Sequence, residues 1–162
     1  MKKMKHRISA LALLAITILS ASCVKQKLET TYNSQEDKID QYIEKNRIVS
    51  GDTLRVVYNE GAARLVTKEG EGPELTQNGN IAFYYAGYTF GGSISNSNLF
   101  ITNHEQSATA AGWTLTEDEA KALTINMNDY RLLPGLKSGL TGVKGGEECQ
   151  ILFTGKYGFG NK

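Results

Sequence analysis

Residues 132–152 read LLPGLKSGLTGVKGGEECQIL, with five glycines, one proline and a short apolar run. Pro134 suits the first turn of a helix, where its missing N–H costs nothing. Leu136 and Leu140 stand one turn apart, and Gly142 follows as a left-handed helix end. PGLKSGLTG is therefore a very short helix. VKGGEE is a turn, and CQILF (149–153) is a strand with Cys149, Ile151 and Phe153 on one side. The glycines serve two turns and a helix end, so they do not require a phosphate. A P-loop needs G-x-x-x-x-G-K-[ST]. Gly155-Lys156 is the only G-K pair, and Gln150 stands where the first glycine belongs. No G-x-G-x-x-G follows a strand either, which excludes the common nucleotide-binding loops.

Upstream, the pattern is mostly strand. TLRVVY (53–58) and ARLVT (63–67) flank NEG, a turn signal. EGEGP (69–73) is a loop. NIAFYYAGYTF (80–90) is the strongest strand in the chain, dense in aromatics. Alternation puts Ile81, Phe83 and Tyr85 on one face and Ala82, Tyr84 and Ala86 on the other. Residues 91–112 form a long Ser/Asn/Thr-rich loop, of a length that is usually functional or disordered. Thr116 and Glu119 make a capping box, so TEDEAKAL is a short helix. LTINMN (123–128) returns to strand.

The N-terminal part has a different character. MKKMKHR is basic, with Lys2, Lys3 and Lys5 serving targeting, and ISALALLAITIL is an apolar run of about a dozen residues. That is the size of a signal-peptide core and too short to span a bilayer. Ser20-Ala21-Ser22-Cys23 follows and resembles a bacterial lipobox, in which the cysteine is lipidated and becomes the first mature residue. The match is loose, since Leu19 stands four residues before Cys23 instead of three. The alternative is simple cleavage near Ala21. Residues 1–22 are thus read as a lipoprotein signal peptide and 23–50 as a lipid-anchored tether and helix. The tether is VKQKLETTYNS (24–34). Ser34 caps a helix over 35–46, where Ile39, Tyr42 and Ile43 form one narrow apolar face.

The whole chain has 162 residues and a net charge of +1. One domain fits that length, and near-neutral charge gives no electrostatic reason to expect nucleic acid. Two cysteines cannot build a disulfide framework, and no C-x-x-C pair suggests zinc or redox chemistry. With Cys23 lipidated, Cys149 is a small buried apolar residue. His104 is the only histidine outside the signal segment, and one histidine makes no metal site. No cofactor is expected. Glu117, Asp118 and Glu119 are the solvated first turn of a helix. Glu147 and Glu148 read as exposed turn residues, and Trp113 as packing the long loop down.

The order of elements in residues 61–160 resembles the FKBP-type peptidyl-prolyl cis-trans isomerases. The family's aromatic strand, G-D-x-φ-x-φ-x-Y-x-G, corresponds to Gly79-Asn80-Ile81-Ala82-Phe83-Tyr84-Tyr85-Ala86-Gly87. Its V-I-x-G-[WL]-x-x-x-L-x-x-M-x-x-G-E corresponds to LLPGLKSGLTGVKGGEE, and its A-Y-G to Lys156-Tyr157-Gly158. GAARLVTKEGEGPEL is similar to the family's first strand and G-x-G-P turn. The resemblance implies an α+β fold over 51–162: a half-open antiparallel sheet wrapped around one short helix, preceded by the N-terminal helix and tether. It also implies a pocket between sheet and helix. Tyr85 would line it and Leu132 and Leu133 would form its lip, with the backbone N–H of Leu133 donating to a substrate carbonyl. Leu136 would be its floor, Tyr157 would reach over it with its hydroxyl, and Leu123 falls where the family often has a phenylalanine.

Two departures bear on that implication. The family's D-G-x-x-F-D-[ST]-[SN] carries an aspartate that pairs with the pocket tyrosine. By spacing, Asn96 takes its place. By local pattern, Phe100-Ile101-Thr102-Asn103 matches F-D-T-N with isoleucine at the acid, which makes Phe100 a pocket residue. The acid is missing in either alignment. The family also continues past A-Y-G into a final strand in the middle of the sheet. The domain as read lacks it, so either the chain is a truncated product or another strand substitutes, for which TLRVVY is the candidate.

The resulting expectation is a lipid-anchored envelope protein, in the outer membrane by preference, with its domain in the periplasm or at the surface. It would act as a monomer on proline-containing peptides or unfolded exported proteins. Its rival is a non-catalytic binding or chaperone module on the same fold.

Overall fold

The structure is a computed structural model that describes residues 26–160. The signal segment 1–22 and Cys23 lie outside the described residues. Two units are distinguished, residues 1–34 and 35–162.

Residues 26–46 are helical (α1). The stretch 26–34 is therefore helix where a tether is expected, and Ser34 is a helical residue instead of a cap. Gln, Lys, Leu and Glu are good helix formers, and no glycine or proline interrupts them. Thr30 and Thr31 satisfy their hydroxyls on the carbonyls of Gln26 and Lys27, four residues back.

In the larger unit, the described strands and helices run in the order β1 (Ile48–Val49), β2 (Asp52–Thr53), β3 (Val56–Asn59), β4 (Ala62–Lys68), β5 (Asn80–Phe83), β6 (Ala86–Tyr88), β7 (Leu99–Thr102), α2 (Glu105–Ala110), β8 (Leu123–Asn126), α3 (Pro134–Leu140) and β9 (Glu148–Phe153). The class is α+β. The sheets are small and antiparallel: β3-β4-β9, and the pairs β1-β2, β5-β8 and β6-β7.

The β3–β4 hairpin turns where NEG predicts, with Glu60 and Gly61 at φ +42° and +82°. That pair of positive angles is the turn that matches strand twist. TLRVVY is interrupted at Leu54 and Arg55, and its second half pairs with β4 on the side away from β9. It therefore lies at the edge of that sheet and does not supply a strand in its middle.

β4 and β9 form the spine, and their alternation serves both faces. Ala63 lies opposite Leu152, and both pack with Ile39 and Ile43 of α1 in one buried cluster, with Tyr42, Val56 and Phe90 around it. The Tyr42 hydroxyl donates to Gln150 Oε1 at 3.0 Å, and its ring meets Phe90 edge-on. Burial raises the Tyr42 pKa, an effect that this hydrogen bond partly offsets. On the other face, Arg64 lies opposite Ile151, and α3 packs there. A Cβ on Gly139 would stand 2.1 Å from Ile151 Cγ2, and one on Gly135 2.3 Å from Phe153 Cγ. The glycines of α3 thus let its backbone lie directly on β9, a role beyond the turns and helix end that the sequence assigns to glycine here.

Arg64 and Glu147 correct a second expectation. The Arg64 side chain is 3% exposed and that of Glu147 0%, although the sequence places Glu147 on an exposed turn. Arg64 Nη1 donates to Gly139 O at 2.8 Å and Thr141 O at 2.9 Å, tying down the carbonyls that end α3. Its Nε approaches Glu147 Oε1 at 3.2 Å. That contact is coulombic, since neither atom is hydrogen-bonded. Arg55 reaches Glu147 from the other side at 3.3 Å. Glu148 is exposed, as expected.

Candidate functional site

The candidate pocket residues are best followed from the helix outwards. Leu132 and Leu136 pack with Phe83, Ile81 and Ile151 around a second buried cluster of Met127, Leu140 and Val143. Gly135 brings the start of the helix against Phe153 of β9. Phe83 is the hub of the next layer. Its ring lies 5.8 Å from that of Tyr85, and in the β5–β8 ladder it stands opposite Leu123. Directly opposed residues of an antiparallel pair project to one face, so Leu123 joins Phe83 there. Leu132, Leu136 and Phe83 thus share one cluster, and Tyr85 and Leu123 are joined to it through Phe83. The sequence alternation assigns Phe83 and Tyr85 to one side, and it places Tyr84 opposite, where the ring is exposed near His104.

Leu133 is the extended residue preceding α3, at φ −60° and ψ 136°. Its carbonyl accepts from Lys137 N at 2.9 Å, while its own N–H has no partner among the described residues. Leu133 is a half-buried residue, and its N–H is among the donors that the start of a helix leaves free.

Phe100 and Tyr157 lie elsewhere by their contacts. Phe100 is 51% exposed and lines an open depression with Ile101, Thr102, Trp113, Thr114, Leu115 and Glu119. It approaches the pocket strand at Gly87, where a Cβ would stand 3.1 Å from its Cζ. Trp113, expected to pack the loop down, is exposed on this depression. Tyr157 follows β9 in a short 3-10 turn, Gly155–Tyr157. Its ring is seated on Gly61 of the β3–β4 turn, where a Cβ would stand 2.1 Å from Cε2. Lys156 Nζ lies 5.4 Å from the ring centroid.

The aromatic segment is not one strand over 80–90. It breaks at Tyr84 and Tyr85, where its partner changes from β8 to β7. The loop 91–112 is more ordered than its composition suggests, holding a 3-10 turn at Asn96–Asn98 as well as β7 and α2. Asn96 sits in that turn, and Ile101 in β7. TEDEAKAL forms a single turn in place of a helix, with Ala120 N donating to Thr116 O. The capping box is nonetheless made: Glu119 Oε2 accepts from Thr116 N, and Thr116 Oγ1 accepts from Glu119 N. Donation to Glu119 Oε2 from Thr116 N, and next from the Thr116 hydroxyl, holds the Glu119 carboxyl below its ordinary pKa.

Sequence reasoning met Asn103 only as the last residue of Phe100-Ile101-Thr102-Asn103 and gave it no role; it is 5% exposed. Its Oδ1 accepts from Tyr85 N at 2.6 Å, and its Nδ2 donates to Phe83 O at 3.2 Å and Lys121 O at 2.9 Å. The signal for it was its match to the last position of F-D-T-N.

No family model, curated protein or solved structure matches the chain.

Proposed function

We propose that this chain is a peptidyl-prolyl cis-trans isomerase of FKBP type, its half-open sheet wrapped around α3, acting on X–Pro bonds of exported proteins. The observation that supports the reading is the unpaired Leu133 N–H, next in the chain to Leu132, which shares a cluster with Phe83 and Leu136. Turning an X–Pro amide requires no nucleophile and no metal. Its barrier, about 18–20 kcal/mol, comes from C–N double-bond character. A twisted amide is less polar than a planar one, so an apolar surface with one placed donor favours the twisted form. A thousandfold acceleration needs about 4 kcal/mol of that preference. In this mechanism Leu133 N–H holds the substrate carbonyl, Leu136 supports the proline ring, and Tyr85 and Leu123 shield it from water. Phe100 and Tyr157, whose contacts lie elsewhere, take no part in this step. The mature chain is anchored in the outer membrane by an acylated Cys23 and works as a monomer.

The test is exchange spectroscopy on an Ala-Leu-Pro-Phe peptide with the folded protein and a Leu133→Pro variant. The φ of −60° at Leu133 already suits proline, so the substitution removes the N–H with little backbone strain. Acceleration by the wild type that the variant loses is the expected result. A folded wild type without acceleration would sink the enzymatic reading. The alternative is a non-catalytic binding module. It is favoured by Ile101, which brings an exposed apolar side chain where the local pattern has an acid. That reading predicts peptide binding without acceleration. Metabolic labelling with a fatty acid, lost in Cys23→Ala, tests the anchor.

A further inference from the structure

Where β5 gives way to β6, residues 84 and 85 belong to neither ladder. The backbone groups there still need partners, because unpaired polar groups away from water are costly. The end of β7 supplies them. Asn103 Oδ1 accepts from Tyr85 N, and Asn103 N donates to Tyr85 O at 3.2 Å. Thr102 Oγ1 donates to the same carbonyl at 2.7 Å. Both peptide groups of Tyr85 are thereby fixed from one neighbouring dipeptide. The two amide hydrogens of Asn103 go to Phe83 O and to Lys121 O, the latter two residues before Leu123.

A single buried carboxamide therefore joins the end of β5, the start of β6, the end of β7 and the approach to β8. We propose that Asn103 is the positioning residue of the candidate prolyl pocket, setting Tyr85 and Phe83 directly and Leu123 through Lys121. The proposal rests on the prolyl-isomerase reading and adds to it the group that fixes the pocket's aromatic wall. The chemistry is specific to an amide. One acceptor must face an N–H while two donors face two carbonyls, and the orientation of the amide follows from that set of partners. Aspartate keeps the acceptor but turns an anionic oxygen toward two carbonyl oxygens. Alanine keeps nothing. The Asn103 side chain acts through the backbone, to which its polar atoms are turned.

The experiment compares wild type, Asn103→Asp and Asn103→Ala in the full chain, by peptide isomerisation and by amide NMR. Asn103→Ala is expected to lower kcat/KM for the Ala-Leu-Pro-Phe peptide at least tenfold. It should also shift the Tyr85 amide resonance and speed its exchange, while β4 and β9 amides stay protected. Asn103→Asp should fall between the two, and it serves as the test if the alanine variant does not fold. A purely structural role would lower the melting temperature and leave kcat/KM of the folded protein unchanged. That outcome, or an unmoved Tyr85 amide, overturns the assignment while the isomerase reading stands. A wild type that neither turns nor binds the peptide removes the pocket reading, and the assignment falls with it.

Discussion

Replacing Arg64 by methionine should be among the most damaging single changes to this fold. Methionine keeps much of the stem's volume and removes the guanidinium. Three interactions go with it: Nη1 to Gly139 O, Nη1 to Thr141 O, and the approach to Glu147. Hydrogen bonds from a charged donor contribute about 1.5–3 kcal/mol each. Breaking a buried ion pair from one side costs about 3–5 kcal/mol, because the remaining charge is left without compensation. The two figures describe overlapping losses, so about 4 kcal/mol is the expected total. Arg55 still reaches Glu147, which argues for the lower half of the range. Against a total domain stability of about 5–15 kcal/mol, the loss is a large fraction. With a urea slope of about 2 kcal/mol per molar, the unfolding midpoint should fall by about 2 M in a circular-dichroism titration. The double variant Arg64→Met with Glu147→Met removes both charges and should recover more than half of the loss. A single variant within about 1 kcal/mol of wild type would refute the reasoning, showing that α3 does not depend on the arginine.

Three further outcomes are expected. Gly139→Ala places a methyl group 2.1 Å from Ile151 Cγ2 and should cost about 1–3 kcal/mol by overpacking, with partial rescue by Ile151→Ala. Burial pushes the Cys149 thiol up to about 11 from an ordinary 9.0, so it should resist alkylation at pH 8 in the native protein and react in urea. The linked stabilisation is fully present below pH 9 and is lost as pH rises through about 11. The hydrogen bond from Arg131 brings Asp129 down to about 2 from 3.8. A carboxyl NMR titration should give that midpoint, and Arg131→Ala should move it up toward the ordinary one while the backbone N–H of residue 131 still holds it below; the stabilisation should hold above pH 3.8 and vanish as pH falls through about 2.

Periodicity and turn chemistry by themselves determined the local pieces. Pro134 and Gly142 bracket α3, NEG makes the β3–β4 turn, and Ile39, Tyr42 and Ile43 give α1 its buried side. Alternation put Phe83 and Tyr85 on one side, where their rings meet. Each of these depends on φ preference or on side-chain period, which act over a few residues. The tertiary structure alone decided what depends on a distant partner. The aromatic run breaks in two because β8 and β7 take its halves and Asn103 bridges the gap. Glu147 is buried because Arg64, far away in sequence, lies beneath it. Residues 26–34 are helical although their composition also suits a tether. Tyr157 rests on Gly61, where the absence of a Cβ leaves room for its ring. A charge, an amide or a glycine looks the same in sequence whether it faces water or a partner, and only the packing of β4, β9 and α3 selects between them.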